Sequence, residues 1–240
     1  MAERLTPAQR VETLEAMGIR SWRGRGSGSV AAPATPKAVA SVSEHIAPET
    51  SARELPGNWP ELRHAVKRCT ECRLHETRTQ SVFGVGDDNA RLMVIGEGPG
   101  AEEDRTGEPF VGRAGKMLDA MLKAINIARE QVFIANVVKC RPPQNRDPRA
   151  DEVEACSGYL RAQISHVKPH LLLAVGRVAA QHLLGSTEPL GKMRGRDDLE
   201  AFGIPVIVTY HPAYLLRTPA QKGRAWIDLK RVRRALGDQA

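Results

Sequence analysis

Four cysteines are the first residues in this 240-residue chain whose types and spacing point to chemistry. Cys69 and Cys72 form a C-x2-C pair, and Cys140 and Cys156 complete the set. A C-x2-C turn lets two thiolates converge on one metal centre, and four thiolates suit either a tetrahedral zinc or a cubane iron-sulfur cluster. Spacing does not choose between the two. Free cysteine also packs as a small hydrophobe, but a C-x2-C pair in a polar, arginine-flanked segment is a poor core pattern.

A glycine-rich run, Gly96 to Ala101 (GEGPGA), formally fits the G-x-G-x-x-[GA] loop of dinucleotide sites. The rest of that motif is missing. A dinucleotide site wants an acid about 20 residues on, at the end of the next strand, whereas Asp119 falls within a helical pattern and that strand ends near Asn136. Pro99, Glu102, Glu103 and Asp104 would crowd or repel a pyrophosphate. A Walker loop fails as well, because Gly115-Lys116 is followed by Met117.

These groups can act together only on a frame that gathers them. Residues 10–17 carry Val11, Leu14 and Met17 at helical spacing, and the stretch to residue 57 is rich in Ala, Pro, Ser and Gly. We therefore expect residues 1–57 to be a short helix and a disordered tether, and residues 58–240 to be the folded domain. A short helix is predicted over 61–68, and buried strands over 91–96 and 131–138. Further strands follow at HLLLAVG and IPVIVTY, with amphipathic helices between them. Leu118, Met121, Leu122 and Ile125 mark one helix face, and Val153, Cys156, Leu160, Ile164 and Val167 another.

Strands alternating with helices predict a three-layer α/β/α fold with a central four-stranded parallel sheet. Ligands of such sheets bind in the crevice at the carboxyl ends of the strands. The loop at Gly96, the segment from Asn136 to Lys139, and His211-Pro212-Ala213 all fall there.

Three stretches, GEGPGAEEDRTGEPFVGRAGKML, NVVKCRPPQNR and VTYHPAYLLR, together resemble family 4 uracil-DNA glycosylases, the iron-sulfur branch of their superfamily. The resemblance runs from Cys69 to Leu236 and includes all four cysteines. It implies a 4Fe-4S cluster on Cys69, Cys72, Cys140 and Cys156, with a structural role. It also implies that Arg141, Asn145, Arg146 and Arg149, between the last two cysteines, face the DNA backbone. A solvated arginine-rich loop is the plainer alternative.

A glycosylase must extrude its base, read the Watson-Crick edge and stabilise the departing anion. Asn136 offers an acceptor and a donor that match uracil N3-H and O4, whereas cytosine presents the opposite pattern. By resemblance, Phe110 stacks on the flipped base. His211 donates to uracil O2 as negative charge grows there, usually the largest catalytic term. Glu97 and Gly98 line the sugar side. Family 1 enzymes place their water-holding aspartate where this chain has Gly98, so water activation falls to Glu97 or Glu103. Leu215 is the expected wedge that fills the gap left by the base, next to Arg217 on DNA. No lysine stands out as a Schiff-base nucleophile; Lys116 and Lys139 read as phosphate or surface groups. The expected enzyme is monofunctional and leaves an abasic site.

Lysine and arginine outnumber aspartate and glutamate 35 to 28, a formal charge of +7 that favours a polyanionic partner. The expected partner is uracil-containing DNA, single- or double-stranded, bound by a monomer, with the tether free to meet a repair protein. No apolar run approaches the roughly 18 residues of a membrane span, so the expected place is the cytoplasm, at the bacterial nucleoid. A non-enzymatic iron-sulfur or zinc nucleic-acid binding module would satisfy the charge and the cysteines alone, but it would not need Asn136 and His211 at strand ends.

Overall fold

The computed structural model describes residues 55–237, all of which belong to one unit, Ser51–Ala240. The expected N-terminal helix and most of the tether lie outside the described residues. Leu55 already packs against the core, so the folded part begins ahead of residue 58.

In chain order the elements are α1 (Trp59–Arg68), β1 (Val85–Gly86), β2 (Leu92–Gly96), α2 (Ala101–Thr106), α3 (Arg113–Ala124), β3 (Val132–Asn136) and α4 (Ala150–Val167). They continue with β4 (Leu171–Val175), α5 (Arg177–Leu184), α6 (Leu190–Met193), β5 (Glu200–Ala201), β6 (Ile204–Thr209), α7 (Pro212–Arg217) and α8 (Lys222–Ala235). Local chemistry sets many of the boundaries. Asn58 caps α1 by accepting the Glu61 N–H at 2.9 Å, and Pro60 occupies its first turn.

The sheet runs β1-β3-β2-β4-β6-β5, and its inner four strands are parallel. Every residue of β2, β3 and β4 is buried, as the near-continuous apolar runs require when both faces are covered. Alternate side chains feed two cores. Met93, Ile95, Phe133, Leu172 and Val208 pack with residues of α1, α4 and α5 on one face. Leu92, Val94, Ile134, Leu173 and Ile207 pack with α3, α7 and α8 on the other.

The expected four-stranded parallel sheet is thus the centre of a six-stranded mixed one. β1 and β5 are antiparallel additions of two residues each. Two residues are too short to show an alternation of polarity, which is why they escape a reading of periodicity; on the molecule they cover the edges of the sheet. Strand order reverses beside β2, so the crevice of such a sheet opens at the carboxyl ends of β2 and β4. Among the described residues no helix is long and apolar enough to cross a membrane.

Candidate active site

A cleft of about 450 Å³ opens at that crevice. The loop after β2 contributes Glu97 and Gly98, α2 contributes Glu103, and the β3 end contributes Asn136. Phe110 comes from the α2–α3 connection, Asn145 and Arg146 from the segment between the last two cysteines, and His211 and Arg217 from α7 and its cap. Arg141 and Leu215 do not line it.

Asn136 closes β3, with Gly96 as its register partner on β2. It is 2% exposed, and its Oδ1 is buried without a hydrogen-bond partner. Buried acceptors are normally paired, so an orphan that faces a cleft marks a place for a ligand donor. The packing around it is tight: a Cβ on Gly96 would stand 2.4 Å from that oxygen and 2.6 Å from Phe110 Cζ.

Phe110 is held in the left-handed region at φ 55°, a conformation that costs about 1–3 kcal/mol and persists only where the surroundings impose it. Glu103 imposes it. One carboxylate oxygen accepts the N–H of Val111 at 3.0 Å and of Gly112 at 3.2 Å, while the other accepts the Gly100 N–H at 3.1 Å. Gly115 lets the next helix approach, since a Cβ there would stand 1.8 Å from the Phe110 carbonyl oxygen. Glu103 lines the cleft and is also a loop tie, with three of its acceptor positions holding backbone N–H groups.

His211 caps α7, and its Nδ1 accepts the Ala213 N–H at 3.2 Å. The proton of the neutral ring then sits on Nε2. Burial pushes the imidazole down to about 4, with Arg217 acting in the same direction and Glu103 against it. The ring is a neutral donor at physiological pH. It lies 5.8 Å from the Phe110 ring, centroid to centroid, and Gly176 at φ +102° makes room for it.

Burial raises the Glu97 carboxyl to about 7; the facing carboxylate of Asp147 adds to the rise, and Arg177 opposes it. Arg177 in turn pairs with Asp147. Gly98 is closely walled, because a Cβ there would stand 2.8 Å from Val138 Cγ2. An aspartate at this position needs its neighbours to move.

Two further expectations, for Leu215 and Lys139, change. Leu215 is 0% exposed and packs in the core beneath α7, because Pro212 starts a helix that turns it inward; its neighbour Leu216 is 42% exposed. Lys139 is 1% exposed and is a buried strut, not a surface cation. Arg146 lines the cleft, but its guanidinium grips the Glu152 carboxylate at 2.8 and 2.5 Å. Arg141 donates to Asn145 Oδ1 at 2.8 Å.

All four cysteines line one small recess, with Val66, Arg78, Lys139 and Tyr159 among its walls. Arg78 Nη1 donates to Cys140 Sγ at 2.9 Å, and the Lys139 N–H to Cys156 Sγ at 3.3 Å. Burial pushes the Cys156 thiol up to about 12 and raises Cys140 and Cys72 too. Among the described residues no three His, Cys, Asp or Glu side chains gather tightly enough to hold one metal ion. Four thiols around a shared recess that Glu71 and His75 also line, with N–H groups directed at sulfur, fit a thiolate-bound cluster.

Reading the residues alone misses Asp147, Arg177, Arg78 and Gln163. Only Gln163 carries a sequence signal, a polar residue on the apolar stripe of α4 between Leu160 and Val167, where it is fully buried.

A family model described as the uracil DNA glycosylase superfamily matches residues 83–230. The chain is 41% identical over 174 residues to a type-4 uracil-DNA glycosylase of Archaeoglobus fulgidus, covering 70% of this chain and 87% of that protein. It is 46% identical over 160 residues to the type-4 enzyme of Thermotoga maritima, covering 66% and 83%. With that of Saccharolobus solfataricus it shares 41% over 182 residues, covering 72% and 84%.

Proposed function

Because the chain belongs to the uracil DNA glycosylase superfamily, we propose that the cleft hydrolyses the N-glycosidic bond of deoxyuridine in DNA, releasing uracil and leaving an abasic site. The observation that carries this reading is the unpartnered Oδ1 of Asn136, buried in one cleft with Phe110 and His211. A flipped uracil stacked on Phe110 offers that oxygen its N3–H, and its O4 accepts from the Asn136 amide. An amide fixed this way leaves cytosine with a buried mismatch.

As the C1′–N1 bond breaks, its electron pair leaves with the base and negative charge develops on O2. His211 Nε2–H donates to that oxygen, and a neutral donor needs no prior protonation. The sugar becomes oxocarbenium-like, and water adds at C1′ with its proton passing to ionised Glu97. Glu103 acts earlier, by holding the loop that carries Phe110. Leu216, exposed on α7 beside the cleft-lining Arg217, is assigned to fill the space the base vacates. Arg217 and Asn145 meet the DNA backbone at the mouth of the cleft. Among the described residues the cleft is lined by no lysine, and the proposed chemistry is monofunctional.

Cys69, Cys72, Cys140 and Cys156 would hold a 4Fe-4S cluster. When bound, that group cross-links the end of α1, the segment after β3 and the first turns of α4, which is structural work. A monomer acting on uracil-containing DNA in the cytoplasm completes the reading. Incubating the protein with uracil-containing DNA, followed by alkali, tests it. Strand breaks at uracil with free uracil released are expected, and intact strands from cluster-loaded protein would sink the reading.

A further inference from the structure

Lys139 is the least expected side chain in the core. It stands between Asn136, in the cleft, and Cys140, in the recess, and is almost wholly buried. A buried ammonium is costly unless its donors are satisfied. Here Nζ donates to the Asn136 carbonyl oxygen at 2.7 Å and to Gln163 Oε1 at 2.6 Å. Gln163 is itself fully buried, and its amide donates to the Phe83 carbonyl at 2.8 Å.

The main chain of Lys139 is equally committed. Its N–H points to Cys156 Sγ at 3.3 Å, and its carbonyl accepts the Val82 N–H at 2.7 Å. One residue thus touches both the strand end that bears the base-reading amide and a thiol of the recess. Lys139 and Gln163 do not line the cleft, so the reaction asks for no amine there. An apolar side chain would fill the same space without desolvating a charge.

We propose that Lys139 is a positioning residue acting through Asn136: with Gln163 it fixes the end of β3 and so the orientation of the base-reading amide, and through Cys156 it ties that end to the recess. The inference rests on the uracil reading of the cleft. An amide that can turn over presents the pattern of cytosine as readily as that of uracil. Deleting Nζ leaves the Asn136 carbonyl and Gln163 Oε1 buried without a donor, and the strand end must move to satisfy them.

The test is a double-mutant cycle on the full chain with its cluster, reading kcat/KM for uracil release together with iron content and visible absorbance. Lys139→Met is expected to keep both cluster readouts and to lose about tenfold in kcat/KM, yet to cost less than about twofold when added to Asn136→Ala. A merely structural role predicts the same loss in both backgrounds, and that result, or no loss at all, overturns the proposal. If Lys139→Met fails to fold, Gln163→Met takes its place in the cycle; it keeps the contacts of Lys139 to Asn136 and Cys156 and is expected to lose about threefold in the wild-type background only. Additive losses or unchanged activity again overturn the proposal. A wild type that releases no uracil overturns the reading of the cleft, and this inference with it.

Discussion

The cleft and the cysteine recess lie within a few residues of each other along the chain, from Asn136 to Cys140, yet they are finished differently. In the cleft a buried acceptor is left without a partner, and the histidine ring spends only one nitrogen on the protein. In the recess Cys140 and Cys156 each receive a hydrogen bond, and Lys139 between the two sites is bound through its N–H, its carbonyl and its Nζ. The base-facing groups of the cleft are left open, whereas Lys139, which joins the two sites, is bound within the chain.

If that contrast is right, damage to the two regions reads out differently. His211→Ala should lose about 10²–10³-fold in kcat with cluster absorbance unchanged and only a few degrees lost in melting temperature, from the missing α7 cap. A loss under tenfold would remove His211 from the chemistry. Cys156→Ser should do the reverse, abolishing cluster absorbance and costing about 3–4 kcal/mol, a fall of about 10 °C in melting temperature. The folded variant should keep excision within a few-fold at low temperature. Lost excision with an unchanged melting temperature would erase the contrast.

The pH profile sharpens it further. With its carboxyl raised to about 7 by burial, Glu97 is mostly ionised only above that value, so the rate should climb with pH through about 7. His211 is neutral down to about 4 and adds no second limb in that range. Glu97→Gln should be slower and flat with pH; a wild-type profile flat from 5 to 9 would take Glu97 out of the proton transfer. The smallest effects separate the two neighbouring leucines. Leu215→Ala should cost about 2–5 kcal/mol of stability, whereas Leu216→Ala should leave stability alone and weaken binding to uracil-containing duplex DNA by a few-fold. Equal melting temperatures for the two would contradict the inward turn of α7.

Much of this was legible in the residues. The four inner strands show as apolar runs bounded by glycine-rich or polar loops, and a parallel sheet puts their carboxyl ends together, so the segments around Glu97, Asn136 and His211 had to converge. What stayed hidden depends on contacts between segments. Glu103 reads as a free acid until the backbone N–H groups of Val111 and Gly112, in the connection after its helix, are seen on it together with that of its own N-cap Gly100. Lys139 reads as a surface cation until Gln163 meets it from α4. Leu215 and Leu216 are both apolar, and only the helix starting at Pro212 decides which one faces inward.

The central claim is that the orphaned Asn136 amide oxygen reads uracil. Single-turnover excision from matched DNA containing uracil or cytosine, by wild type and by Asn136→Ala, tests it most directly. The account predicts rapid release of uracil and no release of cytosine by the wild type, with uracil release falling by about 10²-fold in the variant. Equal rates of uracil release by the two proteins would contradict it.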